Sequence, residues 1–170
     1  ASLGVKFAAP KKRPIVVVGD GAFQETCQAV SGHHHYGANN VVFVLNNNIY
    51  GIEQLLVNPN PFRPVDSDDP AIRKRDYRDP QLNSVYPYNE LNDWAYEKIV
   101  DMVGGEGYVV ETPADLSLVL KDIDAKPEMN FVVHVKLPQA DVPHAIAYKF
   151  RGTGEDEHES PDFPPFCPPA

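Results

Sequence analysis

Apolar positions along the chain follow two different periods, and the changes between them divide it into elements. Four short runs are dense in β-branched and aromatic residues: Pro14 to Val18, Val41 to Leu45, Tyr108 to Val110 and Phe131 to Leu137. Such runs, stopped by polar or glycine-bearing clusters, read as buried strands of a parallel sheet. Between them the spacing is helical. Residues 1 to 9, with Leu3, Val5, Phe7 and Ala8 as apolar positions, read as the end of a helix, and Ala22 to Ser31 as a helix ended by Gly32. Ile49 to Leu56 predicts a turn into a short helix, stopped by Pro59 and Pro61. Asn92-Asp93 is a candidate cap for a helix carrying Trp94, Ile99, Val100 and Val103, closed by Gly104-Gly105. Thr112-Pro113-Ala114-Asp115 predicts a capped start for a helix with Leu116, Val119, Leu120 and Ile123 on one side. Strands alternating with helices predict an α/β fold, a mostly parallel sheet with helices on both faces. No internal repeat is present.

Two stretches break the pattern. From residue 59 to 92 the chain reads as a loop arm, with prolines at 59, 61, 64, 70, 80 and 87 and a basic knot at Arg73, Lys74, Arg75 and Arg78. A loop of that length is usually functional or reaches another subunit. Residues 151 to 170 turn to Gly, Glu, Asp and five prolines, an acidic tail that buries too little apolar area to order itself. The organisation expected is one domain over residues 1 to 150, with the arm inside it, followed by the tail.

Composition narrows the function. Fifteen basic against 24 acidic residues give a net charge of −9, which opposes nonspecific binding to nucleic acid or an anionic membrane. No run approaches the ~20 apolar residues of a membrane span, and the first residues lack a signal-peptide layout, so the cytoplasm is the expected location. Cys27 and Cys167 are too far apart in sequence and context to predict a disulfide. His33, His34 and His35 read as a solvated or interface loop, since three neighbours in a loop do not readily face one ion. His134, alternating with apolar residues, reads as a satisfied strand histidine.

The chemistry-bearing pattern sits at two strand ends. Val16-Val17-Val18 runs into Gly19-Asp20-Gly21-Ala22-Phe23-Gln24, and Val41 to Leu45 runs into Asn46-Asn47-Asn48. The carboxyl edge of such a sheet is where ligands bind. Asp20 offers an anionic oxygen and Asn47, 27 positions later, a neutral amide oxygen, a pair suited to Mg²⁺ holding a diphosphate. Gly21 permits close backbone approach to a phosphate, and a helix beginning near Ala22 aims free N–H groups at it. A dinucleotide-binding loop competes for the same residues, although Gln24 stands where its third glycine belongs. A purely structural strand-to-helix turn is the third reading.

Gly-Asp-Gly followed at this interval by Asn-Asn resembles the diphosphate-binding signature of thiamine diphosphate enzymes. Leu45-Asn46-Asn47 with Tyr50 and Ile52-Glu53, and Lys136-Leu137-Pro138-Gln139-Ala140-Asp141-Val142-Pro143, are similar to the pyruvate and indolepyruvate decarboxylase branch. The likeness covers about residues 1 to 150 apart from the arm. It implies the thiamine diphosphate-binding fold, incomplete at its N-terminus, with thiamine diphosphate and Mg²⁺ as cofactors. It further implies that Asp20 and Asn47 ligate Mg²⁺ by side chain and Ile49 by its carbonyl. Gly19, Gly21, Ala22 and Tyr50 would join them in holding the cofactor, while Ile52 and Leu56 line a substrate pocket. Glu53 corresponds to the acid that relays protons. Loss of CO₂ from a 2-oxo acid leaves electron density that a nearby acid must protonate. A glutamate against Ile52, Leu55 and Leu56 in a poorly hydrated site is expected to have a raised pKa.

Glu53 also favours a non-oxidative decarboxylase over an acetolactate synthase-like or benzoylformate decarboxylase-like enzyme. The family's active site lies between this domain type and a pyrimidine-binding domain, which the resemblance implies as partner in a homo- or hetero-oligomer acting on a small 2-oxo acid. The chain alone is therefore expected to be inactive. The reading from another class is a remnant domain that serves assembly without catalysis.

Overall fold

The computed structural model describes residues 1 to 57 and 85 to 139. Four strands, β1 (Ile15–Gly19), β2 (Val41–Asn46), β3 (Glu106–Val110) and β4 (Phe131–Lys136), form one sheet in the order β1-β2-β4-β3, with every pairing parallel. Ile15, Val41, Phe131 and Glu106 stand side by side at one end of the register, and Gly19, Leu45, Val135 and Val110 at the other. All four strands thus deliver their carboxyl ends to one edge. The α/β expectation is met.

Alternation along the central strands feeds two cores. Val42, Val44 and Val132 face Phe23, Val30, Tyr96 and Val100, while Val41, Phe131, Val133 and Val110 face Val119 and Ile123. The first layer comes from α2 (Asp20–Thr26), α3 (Val30–His35), a 3-10 turn at Tyr96–Lys98 and α5 (Ile99–Val103). The second comes from α6 (Pro113–Ala125). Two further helices are α1 (Ser2–Ala8) and α4 (Gly51–Val57). β2 and β4 are covered on both faces; β1 lies at an edge, with Ile15 68% and Val17 64% exposed.

Arg13, just before β1, ties one end of the sheet together. Its guanidinium donates to the carbonyls of Asn39, Ile123, Lys126 and Met129 and lies 5.3 Å from the centre of the Phe131 ring. α6 begins as its sequence predicts: Thr112 Oγ1 accepts the Asp115 N–H, and Asp115 returns a carboxylate oxygen to the Thr112 N–H. Gly104 and Gly105, at φ +88° and +120°, close α5 as expected.

Some elements depart from the sequence reading. Gly32 does not end the helix begun at Asp20. After a 3-10 turn at Cys27–Ala29, α3 runs through it to His35, and the left-handed residue is Gly37, at φ +59°. Gly32 serves contact instead, since a Cβ there would lie 2.9 Å from Leu3 Cδ1 of α1. The three histidines consequently occupy a last helical turn rather than a loop, with His33 buried against Ser2 Oγ at 2.9 Å and His34 and His35 exposed. No metal-ligating group of His, Cys, Asp or Glu forms among the described residues. Asn92-Asp93 caps nothing: the helix starts later, after the 3-10 turn, and Asp93 accepts from Asn46. Trp94 is 43% exposed, and Tyr96 holds the core position instead. Val5, Phe7 and Leu120 are exposed as well. Cys27 is a free thiol. Cys167, the basic knot and the tail lie outside the described residues, as does most of the arm.

Candidate cofactor site

Asp20 is the first residue of α2, directly after β1, and Asn46 is the last of β2, directly beside it in the sheet. The two halves of the sequence pattern therefore meet. The Asn48 N–H donates to Asp20 Oδ2 at 2.8 Å and to Asn46 Oδ1 at 3.1 Å, while the Gly21 N–H donates to Asp20 Oδ1 at 2.9 Å. Asn48 adopts φ +62°, a left-handed conformation that asparagine tolerates better than most residues. The Asn47 carboxamide oxygen stands 3.4 Å from the Ile49 N–H.

Asp20 is only 3% exposed, and no cation neutralises it among the described residues. Burial pushes its carboxyl pKa up, against the N–H groups of Asn48, Gly21 and Asn47, which favour the charged form. Close by, Asn48 Oδ1 is buried without a hydrogen-bond partner. A buried carboxylate lacking a counter-charge is a ligand for a hard cation, and the turn whose N–H groups hold it carries the amide oxygens of Asn47 and Asn48. The residues present fit Mg²⁺.

The turn after β2 is braced by residues 86 to 91, which fall within the arm expected at 59 to 92. Tyr50 N–H donates to the Asn89 carbonyl, Leu91 N–H to the Asn48 carbonyl, and Ile49 bridges Glu90 in antiparallel register. Neither bond uses the Ile49 carbonyl. Gln54 on α4, fully buried, accepts from the Tyr86 N–H and the Asn89 side chain. A glutamine among the apolar residues of α4 was the available signal, but its partners are more than thirty residues away.

Gly21 is required by a close approach, as expected, and in this chain the approaching group is the Tyr50 ring. A Cβ on Gly21 would lie 2.4 Å from Tyr50 Cε1. α4 turns Gln54 and Leu55 inward, so Ile52, Glu53 and Leu56 point outward and are exposed. The poorly hydrated surroundings expected for Glu53 are not found among the described residues. Helical phase is the reason: with residues 54 and 55 on the core side, 52, 53 and 56 share the opposite one.

A family model described as "Thiamine pyrophosphate enzyme, C-terminal TPP binding domain" matches residues 1 to 135. The chain belongs to this family. Thiamine diphosphate with Mg²⁺ is the cofactor of such domains, and it supplies the electron sink for cleavage beside a carbonyl. Among its relatives, pyruvate decarboxylase isozyme 2 of Saccharomyces cerevisiae is 29% identical over 154 residues, covering 86% of this chain and 23% of the yeast protein. An alpha-keto-acid decarboxylase of Mycobacterium avium is 24% identical over 159 residues, covering 92% and 24%. Pyruvate decarboxylase 2 of Pisum sativum is 33% identical over 108 residues, covering 63% and 20%. The chain thus spans less than a quarter of the length of these relatives. No described helix is long and apolar enough to cross a membrane.

Proposed function

We propose that this thiamine pyrophosphate-family domain holds the Mg²⁺-diphosphate end of the cofactor in a 2-oxo acid decarboxylase and becomes active on joining a pyrimidine-binding domain. The observation that carries the reading is the contact between the signature halves, with the Asn48 N–H on the buried Asp20 carboxylate. Asp20 and Asn47 hold the cation by side chain and Ile49 by its carbonyl. The backbone from Gly19 to Ala22 receives the diphosphate, with Tyr50 moving off Gly21 to admit it.

Glu53 acts as the proton donor and acceptor at the reacting carbon, with Ile52 and Leu56 beside the substrate. Support comes from their common outward direction on α4, where two apolar side chains flank a carboxylate that these residues leave open to water. A second domain closing over that surface excludes water from the carboxylate and its apolar neighbours. The organisation proposed is a cofactor-binding unit over residues 1 to 150 with an arm at 59 to 92 and a tail at 151 to 170, assembled in the cytoplasm as a homo- or hetero-oligomer.

Calorimetry tests the reading. Thiamine diphosphate with Mg²⁺ is titrated into the chain alone and mixed with a pyrimidine-binding domain. Binding in either mixture that Asp20→Ala abolishes supports it; no binding in both leaves the assembly-only domain as the better account. Steady decarboxylation of pyruvate by the pure chain would refute the need for a partner.

A further inference from the structure

Behind the candidate site lies a buried polar chain that the proposed chemistry does not use. His134 stands on β4, 3% exposed, between the central strand and the 3-10 turn. Its Nε2 is 2.9 Å from Asn46 Nδ2 and its Nδ1 is 3.0 Å from Glu97 Oε2. The same Asn46 Nδ2 donates to Asp93 Oδ1 at 3.0 Å. Tyr96 packs against the His134 ring edge to face, with centroids 5.1 Å apart.

These contacts leave a single consistent assignment of hydrogens. Asp93 Oδ1 accepts from the nitrogen end of the Asn46 amide, and the oxygen end accepts from the Asn48 N–H. With one amide hydrogen on Asp93, the other points at His134 Nε2, which therefore accepts. The ring proton then sits on Nδ1 and is donated to Glu97. Turning the Asn46 amide over would set its oxygen against the Asp93 carboxylate and its NH₂ against the Asn48 N–H, two repulsions at part-buried contacts of a buried side chain. Glu97 is fixed in turn, because its carbonyl rests against Gly107 of β3, where a Cβ would lie 2.2 Å away.

We infer that His134, backed by Glu97, is a positioning residue for the cation site, holding the Asn46 amide in the orientation that keeps the Asn48 N–H on Asp20. The chain of contacts runs from Glu97 Oε2 through the His134 ring and the Asn46 side chain to the N–H that fixes Asp20 Oδ2. This rests on the proposed Mg²⁺-diphosphate reading of Asp20. Outer partners of metal ligands commonly change metal affinity 10-fold to 100-fold when removed, and that is the scale expected here.

The test uses the full chain, with the pyrimidine-binding domain where binding requires it, and four variants whose folds are checked by circular dichroism. Thiamine diphosphate with Mg²⁺ is titrated by calorimetry. His134→Phe keeps ring volume and is expected to weaken binding about tenfold or more. Glu97→Gln still offers an oxygen to the Nδ1 proton and is expected to bind within about twofold of wild type, whereas Glu97→Leu loses severalfold. If His134→Phe does not fold, the two Glu97 variants decide, and equal affinities for them overturn the inference. Asp20→Ala separates the two levels. If it abolishes binding while His134→Phe and Glu97→Leu bind as wild type, the positioning role falls and the site stands. If wild type binds nothing, or Asp20→Ala binds normally, the site reading falls and takes the inference with it. Nitrogen-15 spectra of the His134 ring give a readout that does not depend on ligand: a bare Nε2 is expected, and a protonated Nε2 overturns the assignment.

Discussion

The main-chain N–H of Asn48 lies 2.8 Å from Asp20 Oδ2, joining residues 28 positions apart at neighbouring strand tips. The carboxylate so placed is buried, and its raised pKa carries a sign. The native metal-free protein holds a proton on Asp20 more tightly than the unfolded chain, so this group's contribution to stability is full below the unfolded value of about 4 and is lost as pH rises through the folded value. A cation there reverses the balance by favouring the charged form. Mg²⁺ with thiamine diphosphate is therefore expected to raise the melting temperature more at pH 7 than at pH 5, and Asp20→Ala to remove that difference, as thermal melts at both values will read.

Glu53 stands on the outward side of α4, away from the Asp20 carboxylate's hydrogen bonds. Glu53→Gln keeps the shape and removes the transferable proton. In an assembled enzyme it is expected to leave cofactor affinity within about twofold and to lower kcat by roughly 10² or more, the usual worth of a positioned acid. Calorimetry and steady-state decarboxylation measure the two halves.

Arg13 serves four carbonyls at once. Arg13→Ala strands partly buried acceptors at the end of α6 and before β2 and β4. The expected loss is about 2 kcal/mol or more in urea unfolding, with the slope of the transition unchanged.

At the start of α6 the Thr112 cap is worth about 1 kcal/mol, so Thr112→Ala should lower the unfolding free energy extrapolated from urea titration by that amount. Its Asp115 partner has a lowered pKa, caused first by the Thr112 side chain and then by the N–H groups of Glu111 and Thr112. A lowered carboxylate contributes stability above its unfolded value of about 4 and loses it as pH falls through the folded value. Hydrogen exchange at the first turn of α6 is expected to quicken below about pH 4 relative to its later turns.

Gly107→Ala forces β3 and the Glu97 carbonyl apart. Overpacking of this kind costs about 1 to 3 kcal/mol. A parallel weakening of cofactor affinity, larger than that of the remote Thr112→Ala, is expected because the same carbonyl carries the residue behind His134.

The strands were legible because runs such as Val41 to Asn46 contain their own signal: apolar, mostly β-branched residues without a break, ended by asparagines. The halves of the candidate site were legible for the same reason, each lying on one strand tip. What the sequence hid depends on distant partners. Gly32 reads as a helix stop until Leu3 is found against it, and Asp93 reads as a cap until Asn46 takes its oxygen. Trp94 looks like the core aromatic, yet Tyr96 has a hydroxyl that Gln24 can reach, so the smaller ring goes inside and the indole stays out. The exposure of Glu53 follows from the phase of α4, which Gln54 sets by reaching Tyr86 and Asn89.

The strand order carries a consequence for biosynthesis. β4 is made after the other three and is the piece that joins β3 to the pair formed by β1 and β2. Until Phe131 to Lys136 is synthesised, β3 has no partner in this sheet, and the two cores lack Val132 on one face and Phe131 and Val133 on the other. The two cores are therefore completed only when β4 takes its place between β2 and β3, a pairing that is non-local in sequence.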